Sequence, residues 1–102
     1  MKVVADFCLI PLTGEVSVSK YIAKCQEIIE KFPVKMNLHA YGTNLEGEWD
    51  QVLAAVKECH YILHAEGVMR ISTSLKIGTR MDKDSTIEGK IQSVIEKKRT
   101  KA

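Results

Sequence analysis

The chain has 102 residues, a formal net charge of +2, 45% apolar residues and only 6% aromatics. These figures exclude a largely disordered chain and allow one domain with a modest core, so we read residues 1–102 as a single domain. Fifteen basic residues against thirteen acidic ones leave no concentrated basic stripe, which argues against a nucleic-acid partner.

The one basic run, Lys97, Lys98, Arg99 and Lys101, reads as a solvated helix end. Cys8, Cys25 and Cys59 are odd in number, irregularly spaced and without a CxxC pair. That pattern speaks against a disulfide framework or a zinc ribbon, and for reduced thiols in the cytoplasm. No apolar run approaches the ~18 residues that a membrane span needs. Asp6 and Pro11 interrupt the first apolar stretch, which reads as a buried strand and not as a signal peptide.

Residues 2–12 are predicted as a strand, from Val3, Val4, Phe7, Cys8, Leu9 and Ile10. Residues 17–32 are predicted as a helix, capped by Ser17 or Ser19, with Ile22, Cys25, Ile29 and Phe32 on one face. Pro33 ends it. In residues 35–41, Met36, Leu38 and Ala40 alternate with Asn37, His39 and Tyr41, the sign of a half-buried strand. Gly42-Thr43-Asn44 is expected to turn, with a short return strand over residues 45–48. Residues 49–65 are predicted as a second helix, with Gly67 in a left-handed cap. Residues 68–80 form the last strand. Residues 85–99 form the last helix, opened by a Ser85–Glu88 capping box and striped by Ile87, Ile91, Val94 and Ile95.

This order is the βαββαβ pattern of an α+β, ferredoxin-like fold with an added C-terminal helix. Two helices would cover one face of a four-stranded antiparallel sheet and leave the other open. The open face would carry Val4, Asp6, Cys8 and Ile10, then Asn37, His39 and Tyr41, then Arg70, Ser72, Ser74 and Lys76. Such a mixed face suits a sheet-on-sheet subunit contact or a shallow ligand site. Asp6 is its odd member, because Asp is depleted in strand interiors. It would meet a cationic ligand, or pair with Arg70 or Lys76.

Chemistry-bearing motifs are sparse. His60 and His64 sit four apart, but Tyr61 follows the first where a zinc protease needs Glu. No metal, cofactor or catalytic constellation is therefore expected, although His39 or His60 would be the base if there were one. In the run Gly42 to Asp50, Thr43 offers a hydroxyl, Glu46 an acceptor, and the amides near Trp49 a helix N-terminus. Arg80 either clamps a phosphate or pairs with Asp82 or Asp84.

Several of these runs resemble one known family. The stretch Gly42-Thr43-x-x-Glu46-Gly47 with Trp49-Asp50 looks like its GTxxEG signature. Gly67-x-x-Arg70, Gly78-Thr79-Arg80 with Asp82-Lys83, and Ala5-Asp6-x-Cys8 with Pro11 match as well. The chain is similar, over about residues 3 to 97, to the small thiamine-binding-protein family related to YkoF, and its yeast member looks especially similar. The resemblance implies dimers joined edge to edge and stacked face to face into homotetramers. It also implies non-catalytic binding of thiamine or its hydroxymethylpyrimidine part.

By matching position it points to Thr43, Glu46, Arg70 and Arg80. Asn37, Thr43 or Glu46 would meet the aminopyrimidine, and Asp6 or Tyr41 the thiazolium. Cys8, Ile10, His39, Ser72 and Ser74 would lie at the subunit contact. The rival expectation is a structural protein whose open face serves tetramer assembly alone.

Overall fold

The structure is a computed structural model that describes residues 1–100; Lys101, the last residue of the basic run, lies outside them. Seven elements follow one another: β1 (Lys2–Pro11), α1 (Ser19–Ile29), β2 (Lys35–His39), β3 (Gly42–Glu48), α2 (Trp49–Ala65), β4 (Ile71–Gly78) and α3 (Ile87–Arg99). The sheet order is β2-β3-β1-β4, with every pair antiparallel, which is the expected ferredoxin-like arrangement.

Alternation along β1 builds the core. Val3, Ala5, Phe7 and Leu9 turn inward and are buried, joined by Leu45 of β3. Cys25, Ile28 and Ile29 of α1 and Val52, Ala55, Cys59 and Leu63 of α2 pack onto them. The three- and four-residue spacing on both helices makes this one apolar layer. The Cys59 thiol points at the Cys25 carbonyl oxygen, 3.9 Å away. The neighbouring Cys25 thiol and burial both push the Cys59 thiol up from its ordinary acidity.

The structure moves several expected boundaries. Gly42, Thr43 and Asn44 are not a turn: they are the first residues of β3, and the chain reverses over Ala40-Tyr41. Thr43 is buried because it faces the helices. Gly42 is needed for close approach. A Cβ there would stand 2.8 Å from the Phe7 carbonyl oxygen and 3.2 Å from His39 Cε1. The first helix starts at Ser19, with no side-chain cap, so neither serine serves as predicted. The last helix is capped by Thr86, whose Oγ1 accepts from Gly89 N–H at 2.9 Å, and not by Ser85. Gly67 does hold the left-handed conformation, at φ 101°.

The open face is not wholly uncovered. Glu46 faces away from α1 and α2, and its Oε1 accepts from the Ile87 N–H at 2.7 Å while Oε2 lies 3.5 Å from Lys2 Nζ. Lys35 pairs with Glu88 beside it. The first turn of α3 is therefore fastened over one end of that face. The rest of α3 extends away: Ile91, Val94 and Ile95 are exposed, and only Ile87 of the predicted stripe is buried.

Candidate functional site

The unequal reach of two neighbouring strands creates a groove. The β3 pairing stops at Phe7↔Thr43, because the chain has already turned at Ala40-Tyr41. From Cys8 to Pro11, β1 keeps β4 on one side and loses its neighbour on the other. The first turns of α1 and the segment before it stand over this gap. The result is a groove of about 700 Å³ between the last residues of β1, the start of α1 and the β2–β3 turn.

Its walls are mostly apolar, with Ile10, Val16, Ile22 and Leu38 prominent among them. Leu38 points inward by alternation yet is exposed, because the helical layer does not reach that corner of the sheet. Polar groups are few. Gln26 Nε2 donates to Thr43 Oγ1 at 2.9 Å, and Ser17 and Ser19 line the α1 side. Tyr41 is 88% exposed at the rim. A concave apolar surface with a few placed polar groups is the usual form of a small-molecule site.

His39 ties the groove to the open face. Its Nε2 lies 2.8 Å from Asp6 Oδ1, and its Nδ1 accepts from the Tyr41 N–H at 3.4 Å. With Nδ1 accepting, Nε2 carries the proton and donates to Asp6. Asn44 Nδ2 approaches the same carboxylate oxygen at 3.5 Å. Asp6 thus pairs with His39 across the sheet, and not with Arg70 or Lys76 as expected. Lys76 stands directly opposite Asp6 in the register, but forms no ion pair with it.

The predicted residues therefore divide. Tyr41, Thr43, Cys8, Ile10 and His39 line the groove, and Asp6 is held beside it. Asn37, Ser72 and Ser74 lie on the exposed sheet face. Glu46 is buried and committed to α3. Arg70 is exposed just before β4. Arg80 is held by Asp82, with Nε donating to Oδ1 at 2.6 Å, and this keeps the Asp82 carboxyl down at about 2. Of the two histidines on α2, His60 bonds Thr73 Oγ1 at 2.6 Å and His64 bonds the Val68 carbonyl oxygen at 2.7 Å. Among the described residues, no three candidate ligands gather for a metal.

Sequence reasoning missed the α1 wall, Val16, Ser17, Ser19, Ile22 and Gln26. The available signal was β1 itself, whose apolar run outlasts any partner strand that fits between Tyr41 and Trp49.

The profile of the thiamine-binding protein family matches residues 5–95. The chain belongs to that family. Among curated family relatives, the UPF0045 protein sll0230 of Synechocystis is 48% identical over 92% of this chain and 78% of its own. The UPF0045 protein ECM15 of Eremothecium gossypii is 39% identical over 91% and 89%. The crystal structure of the hypothetical protein MJ1052 of Methanocaldococcus is 44% identical, with a TM-score of 0.86 over 93% of this chain and 97% of that one. A Thermotoga maritima protein, provisionally assigned to thiamine biosynthesis/salvage, shares the fold at 23% identity and a TM-score of 0.80, over 92% and 99%. Thiamine-related binding is thus the theme of the family to which this chain belongs, and no described helix is long and apolar enough to cross a membrane.

Proposed function

We propose that the groove binds thiamine or a closely related pyrimidine–thiazole molecule and does no chemistry on it. One observation supports this most: a largely apolar groove with a carboxylate at its margin, in a chain of the thiamine-binding protein family. The walls suit the flat faces of the two rings. The Asp6 carboxylate and the exposed Tyr41 ring suit the thiazolium charge, since a cation over an aromatic face gains about 0.5–2 kcal/mol. Thr43 and Gln26 offer hydrogen bonds at the floor. Asn37 lies on the side from which a ligand would approach Asp6. We assign Glu46 to holding α3, and Arg70 and Arg80 to the rim of the molecule and not to the ligand.

The same proposal places the chain in the cytoplasm as a homotetramer, a dimer of dimers. Cys8, Ile10, His39, Ser72 and Ser74 would stand at or beside its sheet-to-sheet contact. A second reading is assembly alone through the open face; the exposed Ile91–Val94–Ile95 stripe of α3 is a separate apolar surface that an assembly would cover. Titration calorimetry with thiamine, its phosphates and the hydroxymethylpyrimidine part separates the two. Binding heat for at least one of them is expected, and no heat for any at high protein concentration supports assembly alone.

A further inference from the structure

Main-chain direction along β1 is fixed at both ends. Leu12 N–H donates to the Arg70 carbonyl oxygen at 2.9 Å on the β4 side, and Trp49 N–H donates to the Met1 carbonyl oxygen at 2.9 Å on the β3 side. In an antiparallel ladder both polar groups of one residue point the same way, and successive residues alternate. Even-numbered residues of β1 therefore bond β4, and odd-numbered residues bond β3. The β3 pairing ends at Phe7. Leu9 is the next odd residue. Its N–H and C=O aim at the line β3 would follow past Gly42, and that space is the groove. No β3 residue pairs with Leu9, and neither group makes a turn or loop hydrogen bond among the described residues.

Leu9 is only 4% exposed. A buried residue with both main-chain groups unpaired is rare, because each unmade bond costs the desolvation of its polar atom. Besides water, two occupants complete such an edge: an added strand, or a small molecule with one donor beside one acceptor. Pro11 decides between them. It is the next residue aimed at this edge, and its ring has no N–H to give. An incoming strand would find a single amide and then a pyrrolidine ring, the device by which sheet edges refuse strands.

We infer that the Leu9 main chain is the recognition element of the groove, reading a planar heterocycle that carries an amino group next to a ring nitrogen. The amino group donates to the Leu9 carbonyl oxygen, and the ring nitrogen accepts from the Leu9 N–H. The 4-aminopyrimidine ring of thiamine has this edge, so the inference rests on the proposed function and adds which groups of the chain read that ring. A main-chain reader carries no side-chain signature, so no motif in the sequence announces it.

The test uses the full chain and two probes, thiamine and its 4-oxo analogue, in which an oxygen replaces the amino group. Amide hydrogen exchange at Leu9 is followed by nuclear magnetic resonance, and affinity by calorimetry. In the free protein, Leu9 should exchange fast for so buried a residue. Saturating thiamine should slow it by about tenfold or more, and the 4-oxo analogue should bind about tenfold or more weakly, since it sets oxygen against oxygen. Thiamine binding with unchanged Leu9 exchange and equal affinity for both probes overturns the inference and leaves the proposed function standing. Strong Leu9 protection without ligand that grows with protein concentration also overturns it, in favour of a strand from a second copy. No binding of either probe overturns the inference together with the reading on which it rests.

Discussion

His60 shows how one side chain links burial to pH. It sits half-buried between α2 and β4, bonded to Thr73. Burial lowers its pKa from the usual 6.5, and the nearby His64 lowers it further. The unfolded chain then binds a proton that the folded chain resists. The stabilisation is complete above the unfolded value and is lost as pH falls from 6.5 toward the lower folded value. Urea midpoints at about pH 7.5 and about pH 5.5 should therefore fall on acidification, and His60→Gln should reduce that fall. An unchanged pH dependence in the variant would contradict the assignment. Asp6 is a second lesson at this scale. Its place in a central strand was visible as an anomaly in the sequence. Its partner was not, because the pairing of β1, β3 and β2 that brings His39 to it depends on where the hairpin turns.

At the level of elements, periodicity marked α1, β2, α2, β4 and α3, a run of β-formers marked β1, and β3 was expected only as a short return strand; α2 fell on the expected boundaries. Two errors have physical causes. Gly-Thr-Asn has the composition of a turn, but the turn sits two residues earlier, because Thr43 and Leu45 must both face the core and Gly42 must lie against Phe7. The apolar stripe of α3 was read correctly as a stripe, but its place was not legible: Ile91, Val94 and Ile95 stay exposed, and the helix is fastened to the sheet at its first turn. Glu46 is the hinge-pin of that contact. Glu46→Ala removes the acceptor of the Ile87 N–H and the partner of Lys2, which should cost about 1–3 kcal/mol. Chemical denaturation measures this cost, with thiamine affinity expected to stay the same in calorimetry. A large loss of affinity at unchanged stability would return Glu46 to the ligand site.

For the whole molecule, the sequence anticipated an open face, and the structure shows one with a basic, apolar-striped helix extending from its end. Ser72 and Ser74 stand on that face opposite Ile10 and Cys8. In the proposed tetramer a carboxylate at either position would be buried without a partner, a penalty of several kcal/mol. Ser72→Glu or Ser74→Glu should therefore yield dimers by light scattering, with the monomer fold intact by circular dichroism. A tetramer that persists would remove the face from the interface. The groove, by contrast, was only half legible. Its β-strand wall was foreseen as part of the open face, but the α1 wall and the main-chain edge of Leu9 arise from strand lengths that no single residue encodes.

The central claim is that the groove beside β1 holds a thiamine-type ligand. The most direct measurement is an amide chemical-shift titration of the full chain with thiamine. Saturable shifts should concentrate in residues 7–10, 16–26 and 38–43, the segments that line the groove. Absence of saturable shifts, or shifts confined to the Arg80–Ser93 surface around the start of α3, would contradict the account.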